Sequence, residues 1–90
     1  MVYVRKLRWD IWNVAHIARH DVTPDEVQQV CKREPFASQT YRERLRLIGP
    51  TSAGRMLTII LEPEGAGVFY VITARPASRK ERRRYEEVNG

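Results

Sequence analysis

The first clear pattern in the chain is helical and covers residues 10–20. Apolar side chains recur there at the spacing i, i+3, i+4 and i+7, along one side of a helix; they are Ile11, Val14, Ala15 and Ala18. Asp10 precedes them and suits the N-cap. A neighbouring stripe holds Trp12, His16, Arg19 and His20. We predict a helix that buries the apolar stripe, preceded by a short edge strand within residues 1–8.

A second helix has a well-marked start. Thr23 and Glu26 have the spacing of a capping box, in which each side chain bonds the backbone N–H of the other residue. Pro24 stands at the first helical position, where its missing N–H costs nothing. Pro35 disfavours helical geometry in the residue before it, so the helix should end there. The stripe predicted to be buried consists of Val27, Val30 and Cys31.

From Gln39 onward the period of the pattern changes to two. Apolar positions alternate with basic ones, so that Tyr41, Leu45 and Leu47 oppose Arg42, Arg44 and Arg46. Residues 55–62 and 68–74 are predicted strands; residues 56–61 of the first and the whole of the second are apolar on both faces, which is typical of central strands. Turns rich in glycine and proline separate the three segments. The pattern predicts an antiparallel meander.

The last segment predicts a basic helix. Ser78 and Glu81 form a second capping box, and the apolar stripe that follows is thin. The element order predicts an α+β fold in one domain over residues 1–90. In it, a small antiparallel meander of three to four strands carries the two N-terminal helices on one face. The C-terminal helix is basic, and the other face of the sheet is available to a ligand.

Charge narrows the functional classes. The 90 residues include 16 Lys and Arg against 11 Asp and Glu, a formal net charge of +5. The basic excess is densest in residues 75–84, which favours a polyanionic partner, although a solvated helix face explains it equally well. No apolar run approaches the length of a membrane span. The single cysteine, Cys31, fits a reducing compartment, and we expect a cytoplasmic protein.

Two arginines at strand ends are candidates for a phosphate clamp. Arg55 immediately precedes one apolar strand and Arg75 immediately follows the next. Antiparallel neighbours place the start of one strand near the end of the other, so the two guanidinium groups could converge on one phosphate. The alternative is that both are strand-end arginines in solvent.

Other candidate residues also have two readings. His16 and His20 share a helix face, but Ile17 occupies the position where a zinc protease needs glutamate, so we predict no metal site. His20 suits proton transfer near neutral pH, or it is simply half-buried. Glu81 fits its capping role better than that of a general base. The open alternatives for Arg42, Arg44 and Arg46 are a backbone-binding track and a charged sheet edge; those for Tyr85 are a core anchor and a phosphate-site phenol.

Three segments together resemble the BrnT-type family of bacterial toxins. They are residues 20–27 (HDVTPDEV), 48–55 (IGPTSAGR) and 72–86 (ITARPASRKERRRYE). The resemblance implies a RelE-like fold and metal-independent RNA cleavage that blocks translation, with no cofactor. It also implies a cognate antitoxin of the ribbon-helix-helix type. The expected assembly is a toxin homodimer or a toxin–antitoxin heterotetramer.

The same resemblance assigns roles to individual residues. It implies that the activity depends on His20, Arg55, Arg75 and the helix of Glu81–Tyr85. We therefore expect a catalytic set of His20, Arg55, Arg75 and Tyr85; the expected RNA contacts are Arg79, Lys80 and Arg83 of the same helix and Arg44 of the basic strand face. His20 would act as acid or base, the two arginines would hold the phosphate, and Tyr85 would orient it or act as a weak acid. The alternative function is a non-catalytic basic module that binds nucleic acid or protein through the same helix.

Overall fold

In the computed structural model, which describes residues 4–89 and the side chains of residues 4–88, five strands and three helices follow one another. Their order is β1 (Lys6–Arg8), α1 (Ile11–Ala18), α2 (Pro24–Lys32), β2 (Phe36–Gln39), β3 (Leu45–Pro50), β4 (Met56–Gly65), β5 (Val68–Pro76) and α3 (Arg79–Asn89). The predicted edge strand is confirmed for residues 6–8, while Met1–Tyr3 lie outside the described residues.

One sheet contains all five strands, in the order β1-β5-β4-β3-β2. The predicted meander is confirmed, because β3, β4 and β5 pair in antiparallel fashion. The strand count was too low, and the sheet is mixed: β1 pairs with β5 in parallel, with Leu7 opposite Phe69. A parallel partner is brought in by a long connection, which no local pattern reveals.

The alternating segment after Gln39 is not one strand. β2 ends at Gln39, and the short 3₁₀ turn Tyr41–Glu43 separates it from β3. Arg42 and Glu43 have φ of 59° and 63°, a left-handed geometry that ends strand pairing and reverses the chain. The predicted alternation therefore holds only from Arg44 onward, and Arg42 instead lies over the ring of Tyr41.

Helix α2 closes one face of the sheet. Val27 and Val30 are fully buried against a layer of strand residues, which we call the closed face; it consists of Leu45, Leu47, Leu57, Ile59, Leu61, Val71 and Ala74. The capping box of α2 forms as predicted, with Glu26 N–H donating to Thr23 and Thr23 N–H donating to Glu26. Each large apolar side chain buried in this layer stabilises the fold by roughly 1.5–3 kcal/mol.

Helix α3 lies on the opposite side of the sheet. Adjacent residues of a strand point to opposite faces, so Thr58 points away from its closed-face neighbour Leu57. The Thr58 hydroxyl donates to Glu81 of α3 at 2.9 Å, and Arg84 covers the ring of Phe36 on β2. The expectation that the far face would be left entirely to a ligand is thus wrong at one end, where α3 covers β2 and β3.

A β-bulge changes the face of the side chains along β5. Ile60 is opposite Thr73 and Leu61 is opposite Val71, so Ile72 is an extra residue in the pairing. Val71 and Ala74 are consequently both fully buried although they are three positions apart. The bulge explains why β5 is apolar at consecutive positions in the sequence.

Helix α1 buries a different side from the predicted one. Asn13 and Ile17 are its buried residues, whereas Ile11 is 77% exposed. Asn13 is needed inside because its amide donates to the Arg8 carbonyl and its oxygen accepts from Asp10 N–H. Asp10 is the N-cap, as predicted. The apolar stripe therefore faces outward. None of the described helices is long and apolar enough to cross a membrane.

Candidate functional site

Part of the sheet on the α3 side remains uncovered, between α1 and α3. We call this part the open face; it consists of Arg44, Arg46, Ile60, Glu62 and Thr73, all half-exposed. Arg46, Ile60 and Thr73 are cross-strand neighbours on β3, β4 and β5. Strands in a sheet are about 4.8 Å apart, so Arg46 and Thr73 lie roughly 10 Å from each other. The open face is a shallow floor with one helix on either side.

Three cations converge where the open face meets α3. Arg46, Lys80 and Arg84 line a cleft of about 240 Å³, beside Ile48 and Glu81. Within residues 4–88 the structure gives none of the three an ion pair, and Arg46 Nε is buried with no hydrogen-bond acceptor. We call this group the cationic cleft. Unpaired guanidinium and ammonium groups beside a half-buried floor are suited to bind phosphate.

Histidines lie on the other side of the open face. His16 of α1 is in hydrogen-bond contact with Thr73, with 3.1 Å between Nε2 and Oγ1. His20, one turn later, is exposed, and its ring centre is 5.7 Å from that of His16 in an edge-on arrangement. Among the described side chains, no three His, Cys, Asp or Glu residues cluster as metal ligands. His16 thus lies beside the floor and His20 lies next to His16, and both are candidate proton-transfer groups.

Arg75 is held by a carboxylate. Its two terminal nitrogens donate to the two oxygens of Glu81, each at 2.8 Å. Glu81 also accepts from the backbone N–H of Ser78 and from Thr58. The Arg75 guanidinium, helped by these donors, lowers the pKa of Glu81 to about 2. A carboxylate of this kind is a poor general base near neutral pH, which supports the capping role.

Arg55 lies on the closed side of the sheet. Its guanidinium donates to the backbone oxygens of His20 and Asp21 and to the carboxylate of Glu26. Arg75 points to the α3 side, because it is directly opposite Thr58 in the pairing of β4 and β5. The predicted clamp between Arg55 and Arg75 is therefore wrong. Each arginine instead fastens a helix, Arg55 through α2 and Arg75 through α3.

The remaining predicted residues are dispersed. Arg44 is on the open face and pairs with Glu62 at 3.4 Å. Tyr85 is half-buried one turn after Glu81, on the same side of α3. Arg79 and Arg83 are exposed on a side of α3 turned by about 100° from that of Lys80 and Arg84. Of the eight predicted site residues, Lys80 alone lines the cationic cleft.

The sequence interpretation assigned no roles to Arg84, Thr73 and His16, and it treated Arg46 only as one member of a track. The alternation of β3 was the available signal for Arg46, because it places the Arg46 side chain on the other face of the sheet from the buried neighbours Leu45 and Leu47. No local pattern could have placed Arg84 near Arg46, since that contact depends on how α3 crosses the sheet. Cys31 is also as predicted: burial raises the pKa of its thiol to about 11.

The fold matches that of a protein of known structure. The crystal structure of the Brucella abortus ribonuclease toxin BrnT, at 1.1 Å resolution, superposes with a TM-score of 0.67 and 26% sequence identity. The match covers 82% of this chain and 97% of that one. The chain has a BrnT-type fold, and the predicted resemblance to the BrnT-type toxin family is confirmed. The sequence matches no family model, and no curated protein matches it at a significant level.

The match to the Brucella protein extends over the fold that carries the open face. The Brucella protein is a ribonuclease toxin of nearly the same length as the matched region, so the match covers the whole fold and not a fragment of it. The match agrees with the α+β architecture of this chain, in which the sheet is five-stranded and mixed.

Proposed function

We propose that this protein is a ribonuclease toxin that binds single-stranded RNA across the open face and cleaves it without a metal ion. The observation that carries the proposal is the cationic cleft, in which Arg46, Lys80 and Arg84 have no acidic partner in the described structure. The BrnT-type fold supports the same assignment, because its relative from Brucella abortus is a ribonuclease toxin.

Metal-free cleavage uses the RNA itself as the nucleophile. The 2′ oxygen attacks the adjacent phosphorus, a P–O2′ bond forms and the P–O5′ bond breaks, leaving a 2′,3′-cyclic phosphate and a 5′ hydroxyl. One group must accept the 2′-hydroxyl proton, one must donate a proton to the departing O5′, and cations must stabilise the charge on the pentavalent phosphorus.

The open face offers candidates for each of these tasks. In our proposal the guanidinium of Arg46 stabilises the phosphorane, and Lys80 and Arg84 hold the neighbouring phosphates. His20 transfers a proton, with His16 as its alternative, because His16 already contacts the floor through Thr73. Tyr85 stays a candidate orienting phenol. Arg75 becomes a positioning residue that holds α3 through Glu81, and Arg44, Arg79 and Arg83 remain proposed outer RNA contacts.

The resemblance to the BrnT-type family supports a biological setting for this activity. We propose that RNA cleavage by this protein inhibits translation in the cytoplasm and that a cognate ribbon-helix-helix antitoxin neutralises it. The exposed apolar stripe of α1 and the uncovered cationic cleft are surfaces that such a partner would have to cover to block RNA. If a neighbouring gene encodes a small ribbon-helix-helix protein, its coexpression should restore growth to cells that express this chain.

Cleavage of a fluorescent single-stranded RNA in excess chelator tests the proposal. Arg46→Ala should lower the rate at saturating RNA by about 10²–10³-fold, the usual effect of removing one donor to a developing oxyanion. Arg82→Ala is the matched control, because it removes the same charge from the exposed outer part of α3. Both variants should melt at temperatures close to that of the wild type.

Three outcomes would contradict this assignment. Equal rates for Arg46→Ala and Arg82→Ala would exclude the cationic cleft as the site of chemistry. Loss of wild-type activity in chelator would exclude the metal-free mechanism. Salt-sensitive RNA binding without any product would favour the non-catalytic module instead.

A further inference from the structure

A second cavity lies next to the open face, between α1 and β5. It has a volume of about 400 Å³ and is lined by residues that include Trp12, His16, Arg19, Tyr70 and Ile72. Its position depends on the β-bulge, because the extra residue Ile72 forms part of its wall. His16 belongs both to this cavity and to the contact with Thr73, so the cavity opens beside the floor of the open face. We call it the α1 pocket.

We propose that the α1 pocket is a subsite for one unpaired nucleobase of the bound RNA, stacked on Trp12. The proposal rests on the proposed function and names the part of the substrate that this region reads. An RNA strand that crosses the open face toward α1 passes Thr73 and then reaches the pocket, because Thr73 is adjacent in β5 to the pocket residue Ile72. The next base of the strand then enters this pocket.

The chemistry of the pocket suits a base. Trp12 is 74% exposed although it is the largest side chain of α1, and an indole face held at a protein surface is a platform on which any base can stack. Arg19 and His16 supply polar groups to the lining of the pocket. The volume also lies in the range of pockets that hold small aromatic ligands.

The walls of the pocket are fixed before RNA binds. Tyr70 donates its hydroxyl hydrogen to Asp10, with 3.1 Å between the oxygens, and the Arg8 guanidinium covers one face of its ring at 4.4 Å. Asn13 is locked by its own hydrogen bonds to Asp10 and Arg8. A preformed site loses little conformational freedom on binding, which favours recognition of a single flexible base.

The charge around the pocket argues for RNA over another occupant. Arg19 lies at the pocket, and the cationic cleft lies on the other side of the same floor, so a chain that occupies both sites should be anionic at regular intervals and aromatic between them. Single-stranded nucleic acid has this alternation, and proteins bind it with charged grooves and aromatic platforms.

The test is a double-mutant cycle between the protein and an RNA in which bases are removed one at a time. The RNA is a short single strand with 2′-O-methyl groups, which cannot be cleaved, and its affinity is measured by fluorescence anisotropy. Trp12→Ala should weaken binding of the intact strand about 5- to 150-fold. The matched control is Tyr41→Ala, since Tyr41 is 72% exposed but belongs to the turn between β2 and β3.

The cycle separates stacking from general effects. At one position an abasic ribose should weaken wild-type binding by a similar factor and weaken Trp12→Ala no further, because the two changes remove the same contact. Trp12→Ala binding that equals Tyr41→Ala binding, or additive losses at every position, would overturn the subsite while RNA binding stands. Absence of wild-type binding to any strand would overturn the proposed function and the subsite together.

Discussion

The two faces of the sheet consist of the same strands but differ in burial and in charge. On the closed face, Leu57, Ile59 and Leu61 of β4 are completely buried under the helices. Ile60 and Glu62, which alternate with them on the same strand, lie on the open face and are half-exposed. One face therefore supplies most of the packing energy, and the other is free to keep groups that stability alone would not select.

The arginines show the same division. Arg44, Arg55 and Arg75 each have a carboxylate partner, whereas Arg46 and Arg84 have none among residues 4–88. The sequence does not reveal which of these arginines is paired, because the carboxylate partners lie on other elements or more than five residues away. A paired arginine is stabilised where it is, while an unpaired one beside a half-buried floor can exchange water for phosphate. Pairing is thus the feature that separates structural cations from candidate binding cations.

The largest expected difference between the faces is in packing. Ile59→Ala should lower the free energy of unfolding by about 2–5 kcal/mol, because it leaves a cavity in the closed face. Ile60→Ala, the adjacent residue, is the matched control and should cost about 1 kcal/mol, since its side chain is half-exposed. Urea unfolding followed by circular dichroism measures both; equal losses would mean that the open face is buried as well.

The Arg75–Glu81 pair is next in size and depends on pH. The pKa of Glu81 in the folded protein is about 2, against an ordinary value of 4.5. A carboxylate with a lowered pKa stabilises the fold above its unfolded pKa, and this contribution is lost as pH falls from about 4.5 to 2. We expect Glu81→Gln to cost on the order of 2 kcal/mol at pH 7, and the difference from wild type to shrink toward pH 2.

The control for this prediction is Glu87→Gln, an exposed carboxylate on the same helix. It should unfold with the stability and pH profile of the wild type. Thermal melts at half-unit pH steps would reveal the profiles. A constant gap between Glu81→Gln and wild type over pH 2–7 would show that the stabilisation does not come from the ionised carboxylate.

The smallest expected effect distinguishes the two sides of α3. Arg84→Gln should reduce the slope of log binding constant against log salt by about 0.7, the value for one phosphate contact in single-stranded RNA. Arg82→Gln, an exposed arginine on the outer part of the same helix, should leave the slope unchanged. Filter binding at several salt concentrations is sufficient. Equal changes for both variants would indicate diffuse attraction by the whole helix and no preference for the cationic cleft.

Helix caps and the pairing of consecutive strands were the features most readily predicted from the sequence. The caps at Asp10, Thr23 and Ser78 and the meander depend on neighbours a few residues apart, and all were predicted. The parallel β1, the bulge at Ile72 and the path of α3 depend on contacts between distant segments, and none was.

The site suffered from the same limitation. Strand-end positions suggested that Arg55 and Arg75 would meet, but register alone does not determine the face, and the two residues lie on opposite sides of the sheet. The charge pattern and the capping box predicted α3 as a basic helix, yet which of its residues face the floor depends on the rotation of the helix about its axis. Arg46 was within reach of the alternation pattern, because its neighbours Leu45 and Leu47 are apolar.

The parallel pairing of β1 has a consequence for the order of folding. β1 pairs with Val68–Tyr70 of β5, and two helices and three strands lie between these two segments in the chain. We therefore expect the antiparallel pair of β3 and β4 to form early in folding and the pairing of β1 with β5 to form late, since pairing of distant segments is slow.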